Sequence, residues 1–196
     1  MKKRRYLIFF AAGGVLILFS LVWVIILQLQ LHLGSDQSDR VVAEMEAILP
    51  NPSEGELGVY ADPGMPTLQI DGVDYVAMIE IPAFDIKLPV ANRWDSSLLS
   101  DAPARFSGSA YDSTLVIGGT DYSRQFAFCD QIELDTTVIL TDMTGAQFLY
   151  RVSAIHRSDD AKREWLTDGA GDLTLFCKDT YSMQYIAVRC QLKNGQ

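Results

Sequence analysis

The chain has 196 residues, 48% of them hydrophobic, with 16 basic and 25 acidic side chains and a formal net charge of −9. That apolar content excludes a disordered polypeptide, seven prolines and fourteen glycines are too few for collagenous or low-complexity sequence, and one domain's worth of chain remains once an anchor is subtracted. Setting aside Lys2, Lys3, Arg4 and Arg5 leaves 12 basic against 25 acidic side chains, a balance of −13 that repels phosphate backbones and argues against nucleic-acid binding.

From Tyr6 to Ser35 there is no Asp, Glu, Lys or Arg, and Leu7 to Leu27 is an apolar block of 21 residues. As a helix, such a block covers a hydrocarbon core of about 30 Å. The basic cluster lies just before it and no comparable cluster follows. The positive-inside rule therefore predicts residues 1–6 in the cytoplasm, a single-pass membrane anchor at 7–29, and residues 36–196 on the outer side of the cell membrane. A cleaved signal peptide is the competing reading, but its apolar stretch is normally shorter and no Ala-x-Ala site follows here. His32, near the outer end of this span, reads as an interfacial residue and not as a ligand.

Ser35 and Asp36 are plausible caps for a helix over 35–49, in which Val41, Val42, Met45, Ile48 and Leu49 recur at helical spacing while Glu44 and Glu46 face elsewhere. Pro50-Asn51-Pro52 ends it, and residues 50–67, with Gly55, Gly58, Pro63 and Gly64, read as a linker. A domain over 68–196 follows. Val76–Ile81, Ile86–Val90, Leu115–Ile117, Thr137–Leu140, Phe148–Ile155, Leu173–Phe176 and Tyr185–Leu192 all read as short strands, with Arg157–Arg163 a polar segment after the fifth. Thr141–Gly145 is a turn with a glycine available for positive φ. Strands at this spacing predict an all-β domain, a closed or nearly closed barrel or a sandwich. Cys129, Cys177 and Cys190 are odd in number and widely spaced, which gives neither a zinc pattern nor a disulfide framework; no cofactor or metal is expected.

Five strings, in order, resemble the sortases, membrane-anchored cysteine transpeptidases of Gram-positive bacteria. Met78–Val90 (MIEIPAFDIKLPV) resembles the opening hairpin, Ala102–Ser109 (APARFSGS) and Leu115–Gly119 (LVIGG) the run up to the strand ending in the catalytic "GH", Asp142–Val152 (DMTGAQFLYRV) the pattern D-x-x-G-x-x-F-x-Y-x-V, and Asp172–Phe176 (DLTLF) with Ile186–Cys190 (IAVRC) the last hairpin. The resemblance spans about Ala77 to Leu192 and implies an all-β sortase-like barrel with short helices behind one N-terminal transmembrane helix. It also implies cleavage of a sorting signal such as Leu-Pro-x-Thr-Gly by a cysteine thiolate paired with a histidine. An arginine assists, and an amine of a cell-wall precursor or pilin resolves the thioester.

Compared residue by residue, the chemistry departs from that pattern. Where the family has "GH" the chain reads Gly119-Thr120, where it has T-L-x-T-C the chain reads Thr174-Leu175-Phe176-Cys177-Lys178, and the arginine that begins the last strand falls on Tyr185. The family's histidine, cysteine and arginine positions are thus Thr120, Lys178 and Tyr185. Cys177 is the candidate nucleophile nearest the site, but one step along a strand reverses side-chain direction and predicts that it faces the barrel interior. A local bulge would turn it back, and adjacent Lys178 would then depress its pKa. His156, the one histidine of residues 36–196, falls on a different strand and reads as a solvated loop residue in preference to the base of a Cys177–His156 dyad. Cys129 and Cys190 sit in apolar strings and read as core.

Adjacent pairs such as Lys178–Asp179 or Thr120–Asp121 seldom converge on one substrate atom. Trp94 with Leu98 and Leu99 reads as a short helix packed on the barrel, the alternative being the lining of a peptide groove. Asp159 and Asp160 read as solvated charge and form a metal site only if other carboxylates converge.

Three functions follow as expectations. The first is a membrane-anchored pseudosortase that binds a sorting-signal-like peptide, a surface or pilin protein, or another envelope partner without transpeptidation. The second is an active divergent sortase using Cys177 to attach surface proteins to cell wall or pili. The third is a purely structural envelope protein.

Overall fold

The computed structural model describes residues 14, 16–24, 37–49, 64–121, 125–160, 162–169 and 171–193. The basic end at 1–6, most of the anchor at 7–29, His32 and most of the linker at 50–67 lie outside the described residues. The chain divides into two units, Met1–Asp36 and Gln37–Gln196. In the first, residues 16–24 are helical and their large apolar side chains are exposed, Leu16 by 70%. Among the described residues no helix is long and apolar enough to cross a membrane.

The second unit is a barrel built from nine strands: β1 (Leu68–Ile70), β2 (Val73–Ile81), β3 (Ile86–Ala91), β4 (Ala104–Ser107), β5 (Leu115–Thr120), β6 (Thr137–Asp142), β7 (Gln147–Ser158), β8 (Leu173–Lys178) and β9 (Tyr185–Leu192). Their order is β1-β2-β3-β4-β5-β8-β9-β7-β6, and β6 pairs back onto β2 from Ala77↔Asp142 to Glu80↔Ile139. Eight strands therefore close on themselves, which removes the sheet edges, and β1 extends the β2 side as a hairpin. Most neighbours are antiparallel; β5 and β8 run parallel, Leu115↔Leu173 through Thr120↔Lys178.

Alternation along each strand explains the closure. Ile79, Ile81, Val90, Leu115, Ile117, Leu140, Leu173, Leu175 and Val188 enter one buried core, while intervening residues face outward. Asp142 is fully buried at the tight turn between β6 and β7: one carboxylate oxygen accepts from the Thr144 and Ala146 N–H groups, the other from the Tyr111 hydroxyl at 2.5 Å. That is the physical content of the D-x-x-G string.

The helix read at 35–49 is present as α1 over 37–48, within the unit Gln37–Gln196. Val41 and Met45 pack with Ile70, Tyr75, Ala91, Ala102 and Ala104, and Glu46 pairs with Lys87 at 2.5 Å. Leu49 packs against the same cluster, and Ile48 is the one residue of the predicted apolar stripe that remains exposed, by 56%. Residues 94–101 are successive turns, not the short helix read from Trp94, Leu98 and Leu99; the Leu98 N–H donates to Asp95 O and the Asp101 N–H to Leu98 O. The polar segment after β7 is shorter than read. Arg157 and Ser158 still belong to β7, and Arg163 opens α2 (Arg163–Leu166).

Candidate functional site

Thr120 ends β5, Lys178 ends β8 and Tyr185 begins β9. The register joins them: Thr120 is the partner of Lys178, and Lys178 is the partner of Tyr185. Cross-strand partners share a face, and neighbouring strands lie about 5 Å apart. Three side chains named from distant parts of the sequence therefore stand in one row on the outer surface, with Lys178 exposed and the other two half-buried. Lys178 Nζ sits 5.6 Å from the centroid of the Tyr185 ring, a cation–π contact that aligns the row.

The surroundings hold this row in place. Thr120 Oγ1 donates to Gln125 Oε1 at 2.8 Å, and buried Gln125 donates from Nε2 to Ser100 O at 2.8 Å, tying β5 to the turns over 94–101. The Asp121 carboxylate accepts from the Thr180 N–H at 2.7 Å and bridges the β5 end to the β8–β9 turn. Asp179 holds that turn by accepting from the Ser182 hydroxyl and the Tyr181 N–H, contacts that keep its carboxyl below the usual carboxylate range. Both aspartates thus bind backbone, and neither is arranged as a partner for the lysine or threonine beside it.

Below the row, on the same face, Gly118 lies beneath two aromatic rings. A Cβ there would meet Trp94 Cζ3 at 2.4 Å and Phe176 Cζ at 2.5 Å. Trp94 stacks on Phe176 at a centroid distance of 5.4 Å, and Phe106 meets both edge-on at 5.4 Å. This aromatic triad covers the middle of the outer face of β5 and β8. Trp94 is 41% exposed, so the triad presents apolar ring surface to solvent.

The interior face is different. Cys177 is buried in the barrel core, and its Sγ lies 3.7 Å from Phe126 O, to which it donates. The strand continues without a bulge through this position, Gly119↔Cys177 and Cys177↔Ile186 being ordinary partners. Cys129 and Cys190 share that core. Burial pushes the Cys190 thiol up to about 12 and, with a hydrogen bond to Cys177, pushes Cys129 well above its ordinary value. His156 is exposed on β7, where its partner Ala187 faces the outer cluster. Cys177 and His156 therefore occupy opposite faces of the barrel wall.

Of the remaining candidates, Asp159 accepts from Gln184 Nε2 at 2.8 Å and Asp160 lies 3.7 Å from Lys162. Among the described residues no group of three or more His, Cys, Asp or Glu is arranged to hold a metal ion. Sequence reasoning missed Gln125, Phe106 and Phe176. Only Phe176 carried a usable signal: in Leu175-Phe176-Cys177 the alternation sends it outward between two inward residues.

No family model and no curated protein matches the chain. Solved structures do. Sortase A from Corynebacterium diphtheriae aligns with a TM-score of 0.56 at 21% identity, over 63% of this chain and 63% of that one. Sortase C1 from Streptococcus agalactiae aligns at 0.56 and 21%, over 65% and 72%. A Clostridium perfringens sortase D5 transpeptidase aligns at 0.59 and 17%, over 82% of this chain and 100% of that one. The chain thus spans less than two thirds of the length of the C. diphtheriae protein. Three sortase classes superpose on one eight-stranded closed barrel, and the fold of this domain is the sortase fold.

Proposed function

We propose that this protein is a sortase-fold protein held by its N-terminal helix at the outer side of the cell membrane, that it does not catalyse transpeptidation, and that it binds a sorting-signal-like peptide of an envelope protein. The observation that carries the reading is the row itself. Thr120, Lys178 and Tyr185 occupy the end of β5, the end of β8 and the start of β9 on one face, while Cys177 is turned into the core. Acyl transfer by a thiol needs a thiolate, a base and a donor for the oxyanion converging on one atom. A hydroxyl, an amine and a phenol supply no thiolate–imidazole pair. The aromatic triad supports the binding half of the reading, since exposed rings beside a shallow polar row suit an extended peptide.

The test is a panel of peptides containing Leu-Pro-x-Thr-Gly-like sorting signals, offered to the full chain in mild detergent with an amine acceptor. Fluorescence anisotropy should report binding that Trp94→Ala weakens, and mass spectrometry should find neither cleavage nor amine transfer. Turnover by the natural chain, abolished by Cys177→Ala and retained in Cys129→Ala, would establish the active-enzyme alternative instead. Absence of any binding leaves the structural envelope role as the answer. Protease shaving of intact cells should remove the barrel, and full protection until lysis would refute the topology.

A further inference from the structure

At the end of β5 and β8 away from Thr120 and Lys178, a concavity of about 310 Å³ opens between the β4–β5 turn and the segment after α2. Val116 and Leu166 form its apolar floor, and Ser107, Thr114, Thr167 and Thr174 line it with hydroxyls. Arg163 is the one charged residue of the lining. Its guanidinium rests 5.2 Å from the centroid of the Phe106 ring, which fixes the cation at the rim beside the aromatic triad.

Behind the floor lies a second arginine. Arg189 is 1% exposed; Nη1 donates to Leu166 O at 2.7 Å and to Thr174 Oγ1 at 2.8 Å, and Nη2 pairs with Asp168 at 3.1 Å. Four buried side-chain atoms of the described residues have no hydrogen-bond partner; one of them, Ser107 Oγ, belongs to the lining of this concavity, and another, Arg189 Nε, to the arginine behind it. Buried polar groups nearly always find partners, so the uncommitted Ser107 hydroxyl marks a place that something else completes. The free capacity is weighted toward donors. Arg163 donates only; Thr174 Oγ1 already accepts from Arg189, which leaves its proton to give; Ser107 has its hydroxyl uncommitted. Thr114 and Thr167 spend theirs on Asp112 and Arg163 O. A lining of donors with one cation and no acid fits an acceptor-only group.

We propose that this concavity binds a carboxylate of an extended peptide, either an acidic side chain or a free C-terminus. The inference rests on the peptide-binding reading above and adds to it the chemistry of one end of the ligand.

Four probes separate the possibilities: N-acetyl-glutamate N-methylamide, its glutamine and leucine counterparts, and N-acetyl-alanine with a free carboxylate. Each is titrated into the full chain in mild detergent while the backbone amide NMR signals of Gly108, Gly169 and Gly171 are followed. The glutamate probe should bind about five- to tenfold more tightly than the glutamine probe, with the preference falling as salt is raised. Arg163→Gln should erase the preference, and Arg163→Lys should restore part of it because the charge returns without the planar fork. Arg151→Gln, at an exposed arginine that donates to Asp135 O away from this concavity, should leave it unchanged. The alanine probe reports the source: binding equal to glutamate's assigns a C-terminus, weaker binding a side chain. Equal affinity for glutamate and glutamine, or tightest binding by leucine, would overturn the carboxylate assignment. If sorting-signal peptides still bind in that event, and Trp94→Ala still weakens them, the peptide-binding reading survives its loss.

Discussion

The two faces of β5, β8 and β9 meet different demands. Inward, Leu115, Ile117, Leu173, Leu175, Ile186 and Val188 interlock with the rest of the barrel, and all three cysteines lie among them. Outward, the same strands carry Gly118, Phe176 and Arg189, then the row Thr120, Lys178, Tyr185. Closure of the barrel depends on the first set; chemistry depends on the second. Because alternate residues serve alternate faces, a chain can keep one set and change the other, which is why a shared fold and a shared activity are separate claims. The faces should therefore respond very differently to perturbation.

The largest difference should appear at alkaline pH. Burial raises the Cys190 thiol from its ordinary 9.0 to about 12. Its folded form holds a proton that the unfolded chain gives up first, so its contribution is complete below about pH 9 and is lost as pH rises toward 12. At roughly 1.4 kcal/mol per pH unit this approaches about 4 kcal/mol. Chemical denaturation across pH 8–11.5 should show stability falling more steeply in the natural chain than in Cys190→Ala. Parallel slopes would mean that the thiol is not sealed inside.

Next come two adjacent glycines on opposite faces. A Cβ at Gly119 would meet the Phe126 ring at 2.8 Å, and Phe126 is fully buried, so nothing there can move aside. A Cβ at Gly118 would meet Trp94 at 2.4 Å, which half-exposed Trp94 can relieve by swinging into solvent, and the buried Phe176 ring at 2.5 Å, which cannot move so freely. Gly119→Ala and Gly118→Ala should each cost about 1–3 kcal/mol as overpacking. A Gly118→Ala variant as stable as the natural chain would show that the aromatic triad is looser than the core. Quenching of tryptophan fluorescence should change in Gly118→Ala alone.

Much of this contrast was legible in the sequence. Alternation across Leu173-Thr174-Leu175-Phe176-Cys177-Lys178 already sends Cys177 inward and Lys178 outward, and period two is robust where one face is buried. The strands bounded by proline, glycine or a tight turn were legible too. What escaped were features set by contacts distant in sequence. β7 runs three residues past Ile155 because β9 pairs with His156, Arg157 and Ser158, whose polarity gives no strand signal. The Trp94–Asp101 stretch carries helical spacing but is held as turns, with Thr120, Gln125 and Ser100 joined across it. The carboxylate concavity depends on Arg189 reaching residues 15 to 24 positions away, which no local pattern records.

The smallest change in stability should come from rebuilding the row. Thr120→His, Lys178→Cys and Tyr185→Arg together alter three positions that contribute nothing to the interior. The lysine–tyrosine contact they remove is worth about 0.5 kcal/mol at an exposed site. An imidazole at 120 can still donate to Gln125 Oε1, so the tie to the turns over 94–101 persists. Thermal unfolding of the triple variant should fall within about 1 kcal/mol of the natural chain, as surface substitutions do. A cysteine without its histidine is mostly thiol, and a histidine without the cysteine has nothing to activate, so single variants should form no acyl-enzyme. The triple variant, offered a sorting-signal peptide and quenched in acid, should show the mass of a thioester at residue 178 that Thr120→His/Tyr185→Arg lacks. Unfolding of the triple variant would contradict the separation of the two faces. A folded triple variant that binds peptide yet forms no thioester would show that Trp94 and Phe176 keep the scissile bond away from the row, a point then checked by adding Phe176→Val.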